Sequence, residues 1–192
     1  MPRTARLTAA LALVAALSGC AGTNAVSDGS GGPQLRALDT ASTGLLRVAD
    51  RTPAPALSGE TIDGGRLDVA TYRGKVVVVN FWASWCPPCR AESADLVKVA
   101  NDTAALGVQF VGVNIKDERA AALRFDEVHN VPYPSLFDQP GILLTRFRRL
   151  VPQVPPTTLL IDKQGRVAGL FRGGITEAEL SAPVQVLAGE PG

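Results

Sequence analysis

Histidine and methionine are nearly missing from this chain. His129 and Met1 are the sole examples, so a copper carrier built on imidazole and thioether ligands lacks its donors. A charge bias is missing too, with 19 Lys and Arg against 18 Asp and Glu. There is no basic run and no interleaving of basic with aromatic residues, which removes nucleic acid and an anionic membrane surface as electrostatic partners. No apolar run is long enough to remain in a membrane as a helix: residues 7–17 would rise about 16 Å against a hydrocarbon core of about 30 Å. Disorder is excluded by the opposite count, because 46% hydrophobic and 19% charged residues in a 192-residue chain suit one globular domain with appendages. No internal repeat is visible. Cysteine is scarce at three, and its two contexts differ sharply.

Arg3 and Arg6 precede the apolar run, and Ser18-Gly19-Cys20 follow it. A basic start, a short apolar middle and small residues at the end make an export signal over residues 1–19. The ending resembles the lipobox of bacterial lipoproteins. That resemblance implies cleavage before Cys20 and a lipid on the new N-terminal residue, anchoring the protein to the cell membrane on its extracytoplasmic side. An ordinary secretory signal with an incidental cysteine is the plainer alternative. Residues 21–32 have almost nothing to bury and read as a flexible tether. In residues 33–50, Leu35, Leu38, Leu45, Leu46 and Val48 fit either a short packed helix or more linker, and the tether is drawn over 20–50.

The globular domain is placed at 51–192. A hairpin turning at Asp63-Gly64-Gly65 comes first, followed by a buried, valine-rich strand over 75–82. A helix then runs from the cysteine pair to about Ala105, with Leu96, Val99 and Ala100 on one face, until Gly107 ends it before a strand from Val108 to Ile115. Strand, helix, strand in that order implies a right-handed parallel crossover. A second helix is expected at about 118–129, a short strand near 135–137, a helical turn near 142–147 and a loop over 151–156. The chain closes with a hairpin, 157–161 and 166–171, around Asp162-Lys163-Gln164-Gly165, and a helix from Thr176. Thr176-Glu177-Ala178-Glu179 has the capping-box pattern, and Pro183 is expected to kink or shorten the helix.

The remaining two cysteines form Cys86-Pro87-Pro88-Cys89, directly after the apolar strand. A strand that feeds two cysteines at this spacing into a helix start puts both sulfurs within bonding reach, which points to redox chemistry. Cys86, at the helix N-terminus, meets free amides and the positive end of the helix dipole, so its thiolate is favoured and it is the attacking sulfur. Pro87 and Pro88 cost little in a first turn and stiffen it. Cys89, one turn further in and more covered, would resolve the mixed disulfide. A structural disulfide or half of a zinc site is the alternative, but no second cysteine pair exists to complete the site. Glu92, three positions after Cys89, is its neighbour on the helix surface and a candidate proton acceptor, with a merely solvated glutamate as an equal alternative.

The stretch from Phe81 to Glu92, Phe-Trp-Ala-Ser-Trp-Cys-Pro-Pro-Cys-Arg-Ala-Glu, resembles the active site of thioredoxin-like proteins, and more narrowly the membrane-tethered TlpA/ResA type. The similarity continues through Gly112-Val113-Asn114 and from Pro155 to Asp162, covering roughly 51–187. It implies an α/β thioredoxin-like fold, a central mixed sheet flanked by helices, here with an N-terminal hairpin extension. It also implies a functional glutamate at Glu92. Asn80 stands where thioredoxins proper keep a buried aspartate, so Glu92 would be the only nearby acid. The loop with Pro155, Pro156 and Thr157 is similar to the family's cis-proline loop, which offers backbone hydrogen bonds to an extended substrate. That places cis at Pro156, with Pro155 as the competing position. Trp85 would pack beside Cys86 and limit solvent access. Two residues depart from the pattern: Ala94 replaces a kinking proline, and Pro155 removes a backbone donor.

The expectation is therefore a thiol-disulfide oxidoreductase reducing disulfides outside the cytoplasmic membrane, the resemblance implying apocytochrome c or similar exported proteins as substrates. A membrane redox partner would recycle the pair, and neither cofactor nor metal is called for. A disulfide-forming oxidant is the second reading, disfavoured because Pro87-Pro88 supplies no histidine between the cysteines. A peroxidase would want a hydroxyl residue three before its cysteine, where Ala83 stands.

Overall fold

In this computed structural model the described residues are Met1, 44–150 and 154–192. Residues 2–43, which include nearly all of the expected signal and Cys20 with its expected lipidation, lie outside them. Everything described from Gly44 onward belongs to one unit, 32–192.

The strands are β1 (Thr52–Pro53), β2 (Ser58–Glu60), β3 (Arg66–Asp68), β4 (Val76–Trp82), β5 (Val108–Ile115), β6 (Ser135–Asp138), β7 (Thr157–Ile161) and β8 (Arg166–Arg172). The helices are α1 (Pro87–Thr103), α2 (Arg119–His129), α3 (Ile142–Arg146) and α4 (Glu177–Gly189). Six strands form one sheet in the order β1-β8-β7-β4-β5-β6, with β4, β5 and β6 parallel and the β4–β7, β7–β8 and β1–β8 pairs antiparallel. This is the mixed sheet the sequence implied. β4 is central and buried at every position because both of its faces are covered. Its alternation sorts the core: Val76 and Val78 pack with Leu96 and Val99 of α1 and with Leu180, Val184 and Leu187 of α4. Val77, Val79 and Phe81 pack on the other face with Val111, Val113, Leu144 and Phe147. Each such side chain contributes roughly 1.5–3 kcal/mol by leaving water.

The early hairpin forms as β2 and β3 and lies against β6. Thr61 bridges Leu136, and Ile62 N donates to Ser135 O at 2.9 Å. Arg119 clamps it, donating to Thr61 O and Ile62 O (2.7 and 3.0 Å) with its guanidinium over Phe137. The hairpin thus covers an otherwise open sheet edge and delivers Ile62 to the apolar cluster around the cysteines. Gly112 keeps β5 close to its neighbours, since a Cβ there would collide with Ser135 and Trp82, whose Nε1 donates to Ser135 Oγ at 3.2 Å.

Two expectations are corrected. The packed chain begins earlier than residue 51: Leu45 and Leu46 are buried, Leu45 bridges Gly169, and Leu46 N donates to Ala168 O at 2.7 Å. A short 3-10 turn, Val48–Asp50, follows. Two adjacent leucines bury enough apolar surface to hold a short extended segment that has no pattern of its own. Pro183, expected to kink or shorten the last helix, does not shorten it: the helix continues to Gly189. Its buried ring shares the packed face with Leu180, Val184 and Leu187, and that burial offsets the roughly 3 kcal/mol cost of a helix-interior proline. The N-terminus of α4 has the anticipated reciprocal cap between Thr176 and Glu179.

Candidate active site

β4 ends at Trp82, and the chain turns through Ala83, Ser84 and Trp85 into α1. The buried carboxylate of Asp117 fixes that turn. It accepts from Ser84 N (2.6 Å), Ser84 Oγ (2.8 Å), Asn114 Nδ2 (2.8 Å) and Glu118 N (2.8 Å). Trp85 is less covered than expected, at 52% exposed, with Nε1 donating to Lys116 O at 2.9 Å. The apolar residues clustered with the sulfurs are instead Ile62, Trp82, Ala83 and Ala122, with Phe125 and Phe137 packed against them. Arg90 reaches back to Ser84 O at 2.8 Å, placing a cation beside the turn.

Cys86 is the N-cap of α1, with Pro87 and Pro88 in its first two positions. Prolines carry no N–H, so the first amide the helix can offer is that of Cys89. It donates to Cys86 Sγ at 3.3 Å. The two cysteines are joined as a disulfide, Cα to Cα 5.3 Å. Their expected difference in exposure is not found, since each is 2% exposed in this oxidised form. What distinguishes them is hydrogen bonding: Cys86 Sγ holds the capping position, where a thiolate is stabilised, while Cys89 faces the interior.

Glu92 is not a solvated helix residue. It is 3% exposed, accepts from Asn80 Nδ2 at Oε1 (2.9 Å) and from Ile175 N at Oε2 (3.0 Å). Burial pushes its pKa up to about 7, against the downward pull of those two hydrogen bonds. Asn80 Nδ2 also donates to Thr158 Oγ1 at 3.1 Å. Asn80, read in the sequence only as a missing aspartate, is thus what fixes the glutamate. Nor is Glu92 the only acid. Asp126 of α2 lines a small cavity with Cys89, and burial, with a smaller contribution from the Asp63 charge, raises its pKa to about 7.

Thr157 of β7 pairs with Phe81 of β4, so the preceding loop stands at the same end of the sheet as the cysteines. The Pro155–Pro156 bond is cis, which settles the position between the two prolines. Pro156 is buried, and its carbonyl accepts from Gly173 N at 3.0 Å. Thr157 does not offer itself to a substrate. It is fully buried, its backbone pairs with strands on both sides and its Oγ1 faces Val154 O at 3.5 Å. Trp85, Pro87 and Pro88 next to the sulfurs in sequence are exposed, and in the cis-proline loop so is Val154, at 62%, a residue the sequence did not single out. Among the described residues no three His, Cys, Asp or Glu side chains converge as a metal site requires.

A disulfide at the N-terminus of a helix that follows the central strand of a mixed, helix-flanked sheet defines a thioredoxin-like thiol-disulfide oxidoreductase. Residues 51–169 match the AhpC/TSA family, and the chain belongs to it. Its sequence is 36% identical over 159 residues to the thiol:disulfide interchange protein DsbE of Pseudomonas aeruginosa, covering 80% of this chain and 84% of that one. It is 29% identical over 135 residues to the thiol-disulfide oxidoreductase ResA of Bacillus subtilis, covering 70% and 74%. Among solved structures, a secreted thiol-disulfide isomerase from Corynebacterium glutamicum superposes with a TM-score of 0.72 at 30% identity, covering 76% of this chain and 91% of that one. A thioredoxin-family thiol:disulfide interchange protein from Chlorobium tepidum gives 0.66 at 33% identity, covering 72% and 97%.

Proposed function

We propose that the protein works outside the cytoplasmic membrane, held there by lipid on Cys20, and reduces disulfides in exported proteins such as apocytochrome c. The observation that carries the chemistry is the capping position of Cys86 Sγ, with a buried carboxyl, Glu92, one turn beyond Cys89. In the dithiol form the Cys86 thiolate attacks a substrate sulfur, and the other substrate sulfur leaves as a thiolate. Cys89 then gives its proton to Glu92 and attacks Cys86 Sγ. The internal disulfide forms, and the second substrate thiolate departs. Two electrons have passed to the substrate, and a membrane redox partner returns them. An extended substrate segment lies across Trp85, Pro87, Pro88, Val154 and Pro155, where Pro155 offers a carbonyl but no N–H.

The extracytoplasmic placement is supported by the export signal and by a similar protein described as secreted. Reduction is favoured over oxidation because no histidine between the cysteines stabilises the reduced thiolate. A peroxidase reading meets Ala83, a buried residue without a hydroxyl, at the position where that chemistry wants one. Redox titration of the pair tests the direction. A potential near or below about −200 mV fits a reductant, whereas one near −120 mV contradicts it, the ~80 mV difference being worth roughly 3.7 kcal/mol. Membrane fractionation tests the anchor: Cys20→Ser is expected to move the protein to the soluble fraction, and an unchanged distribution contradicts lipidation.

A further inference from the structure

Asp126, a half-buried acid of α2 beside Cys89, is not used by the reaction above. Its Oδ1 is shut off from solvent and has no hydrogen-bond partner among the described residues. It borders a cavity of about 10 Å³, lined also by Asn80, Trp82, Cys89, Ser93 and Tyr133, which has the room that a single water takes. The lining is mostly apolar, with Trp82, Leu96, Phe125 and Val131, so an unpartnered carboxylate oxygen and the Ser93 hydroxyl beside it are where a water in this gap gains its hydrogen bonds. We propose that Asp126 is a second proton-handling group for the cysteine pair, exchanging the proton of Cys89 through one water held in this cavity. The inference deepens the reading above and rests on Cys89 being the resolving sulfur.

The surroundings suit the task. Ser93 Oγ lies 2.9 Å from Arg90 O, to which it donates, and 2.8 Å from His129 Nδ1. Its hydroxyl proton goes to the carbonyl, so the oxygen keeps a lone pair with which to accept from the water. The groups around Asp126 are Cys89 and Ser93 from α1, Tyr133 from the following loop and Asp63 from the hairpin turn, whose negative charge raises the pKa of Asp126. In those resolving events where the proton does not go to Glu92, the Cys89 S–H bond breaks and its proton passes through the water to Asp126 Oδ1. The sulfur's electron pair forms the bond to Cys86, and the substrate sulfur leaves with the electrons of the broken mixed disulfide. No further oxidant or reductant is involved.

The test uses the full chain, reduced, with oxidised glutathione as the disulfide probe. Stopped-flow separates attack by Cys86 from resolution by Cys89, and the Cys89 thiol is titrated by carbon NMR of its Cβ. Asp126→Asn, which keeps the shape and removes the charge, is expected to slow resolution on the order of tenfold at pH 8. It should also alter the pH profile of that step and the Cys89 titration, while attack by Cys86 stays within about twofold. Adding Glu92→Gln should slow resolution further. Resolution at the wild-type rate from pH 5 to 9 in Asp126→Asn overturns the inference, as does a uniform slowing that leaves both the pH profile and the Cys89 titration unchanged. Neither result touches the assignment of the cysteines. Failure of Cys89→Ser to hold a mixed disulfide with glutathione is a different result; it overturns that assignment and this inference with it.

Discussion

The two sulfurs of the active site are equally buried, yet they sit in opposite surroundings. Cys86 is at a helix terminus, facing the amide of Cys89 and flanked in the chain by the exposed Trp85, Pro87 and Pro88. Cys89 is one turn inside, near two carboxyls, the buried Glu92 and the half-buried Asp126, each with a pKa pushed up to about 7. The difference teaches that division of labour in this pair does not come from solvent exposure. A sulfur that must carry charge is given donors, and a sulfur that must lose a proton is given acceptors whose pKa lies near working pH.

The comparison breaks most sharply at Glu92. Glu92→Gln is expected to slow resolution by roughly ten- to a hundredfold while leaving the Cys86 attack nearly unchanged; equal rates for both steps in the variant and the wild type would erase the distinction. The same substitution has a signature in stability. The folded pKa of Glu92 lies above its ordinary value of 4.5, at about 7, so the folded protein binds the extra proton and is favoured at low pH. That advantage is complete below about pH 4 and is lost as pH rises through 7. Urea titrations at pH 4 and pH 8 should therefore shift the difference between the two proteins in favour of the Glu92→Gln variant by about 3 kcal/mol at the higher pH. No pH-dependent change would mean that the carboxyl is not buried as described.

The Cys86 side is tested by Asp117→Ala, which leaves the donors from Ser84, Asn114 and Glu118 without their acceptor. A loss of about 1–3 kcal/mol is expected from denaturant melts, with the first attack slowed more than resolution because the turn before Cys86 loosens. The smallest effect is expected at Trp85. Trp85→Ala should lower kcat/KM for protein disulfides about two- to fivefold, with the reaction toward oxidised glutathione little changed. An equal loss for both substrates would make Trp85 a structural support for the turn, acting through its bond to Lys116 O.

The parts legible in the sequence were those whose signals are local. The valine run of β4, the face of α1 carrying Leu96 and Val99, and the cap at Thr176 each lie within a few residues, where period and spacing speak directly. The cysteine pair was legible for the same reason. Glu92 was legible as a candidate proton acceptor from its spacing to Cys89, but the groups that hold and supplement it were not, because they come from other elements: Asn80 of β4 meets Glu92 of α1. Asp126 reads as an ordinary surface acid until α2 is packed against Cys89. Leu45 and Leu46 stayed undecided between packed helix and linker because a bridge to β8 leaves no periodic trace in its own segment. Thr157 was placed at the substrate surface through its neighbours Pro155 and Pro156, although its place in β7, between β4 and β8, buries it.

The central claim is that Cys86 attacks and Cys89 resolves, and trapping with the single-cysteine variants measures it most directly. Reduced Cys89→Ser and Cys86→Ser proteins are each mixed with insulin, and the mixed disulfides are quantified on non-reducing gels. The account predicts that Cys89→Ser accumulates them and that Cys86→Ser forms almost none and has lost insulin reduction. Equal trapping by the two variants, or preferential trapping by Cys86→Ser, would contradict it.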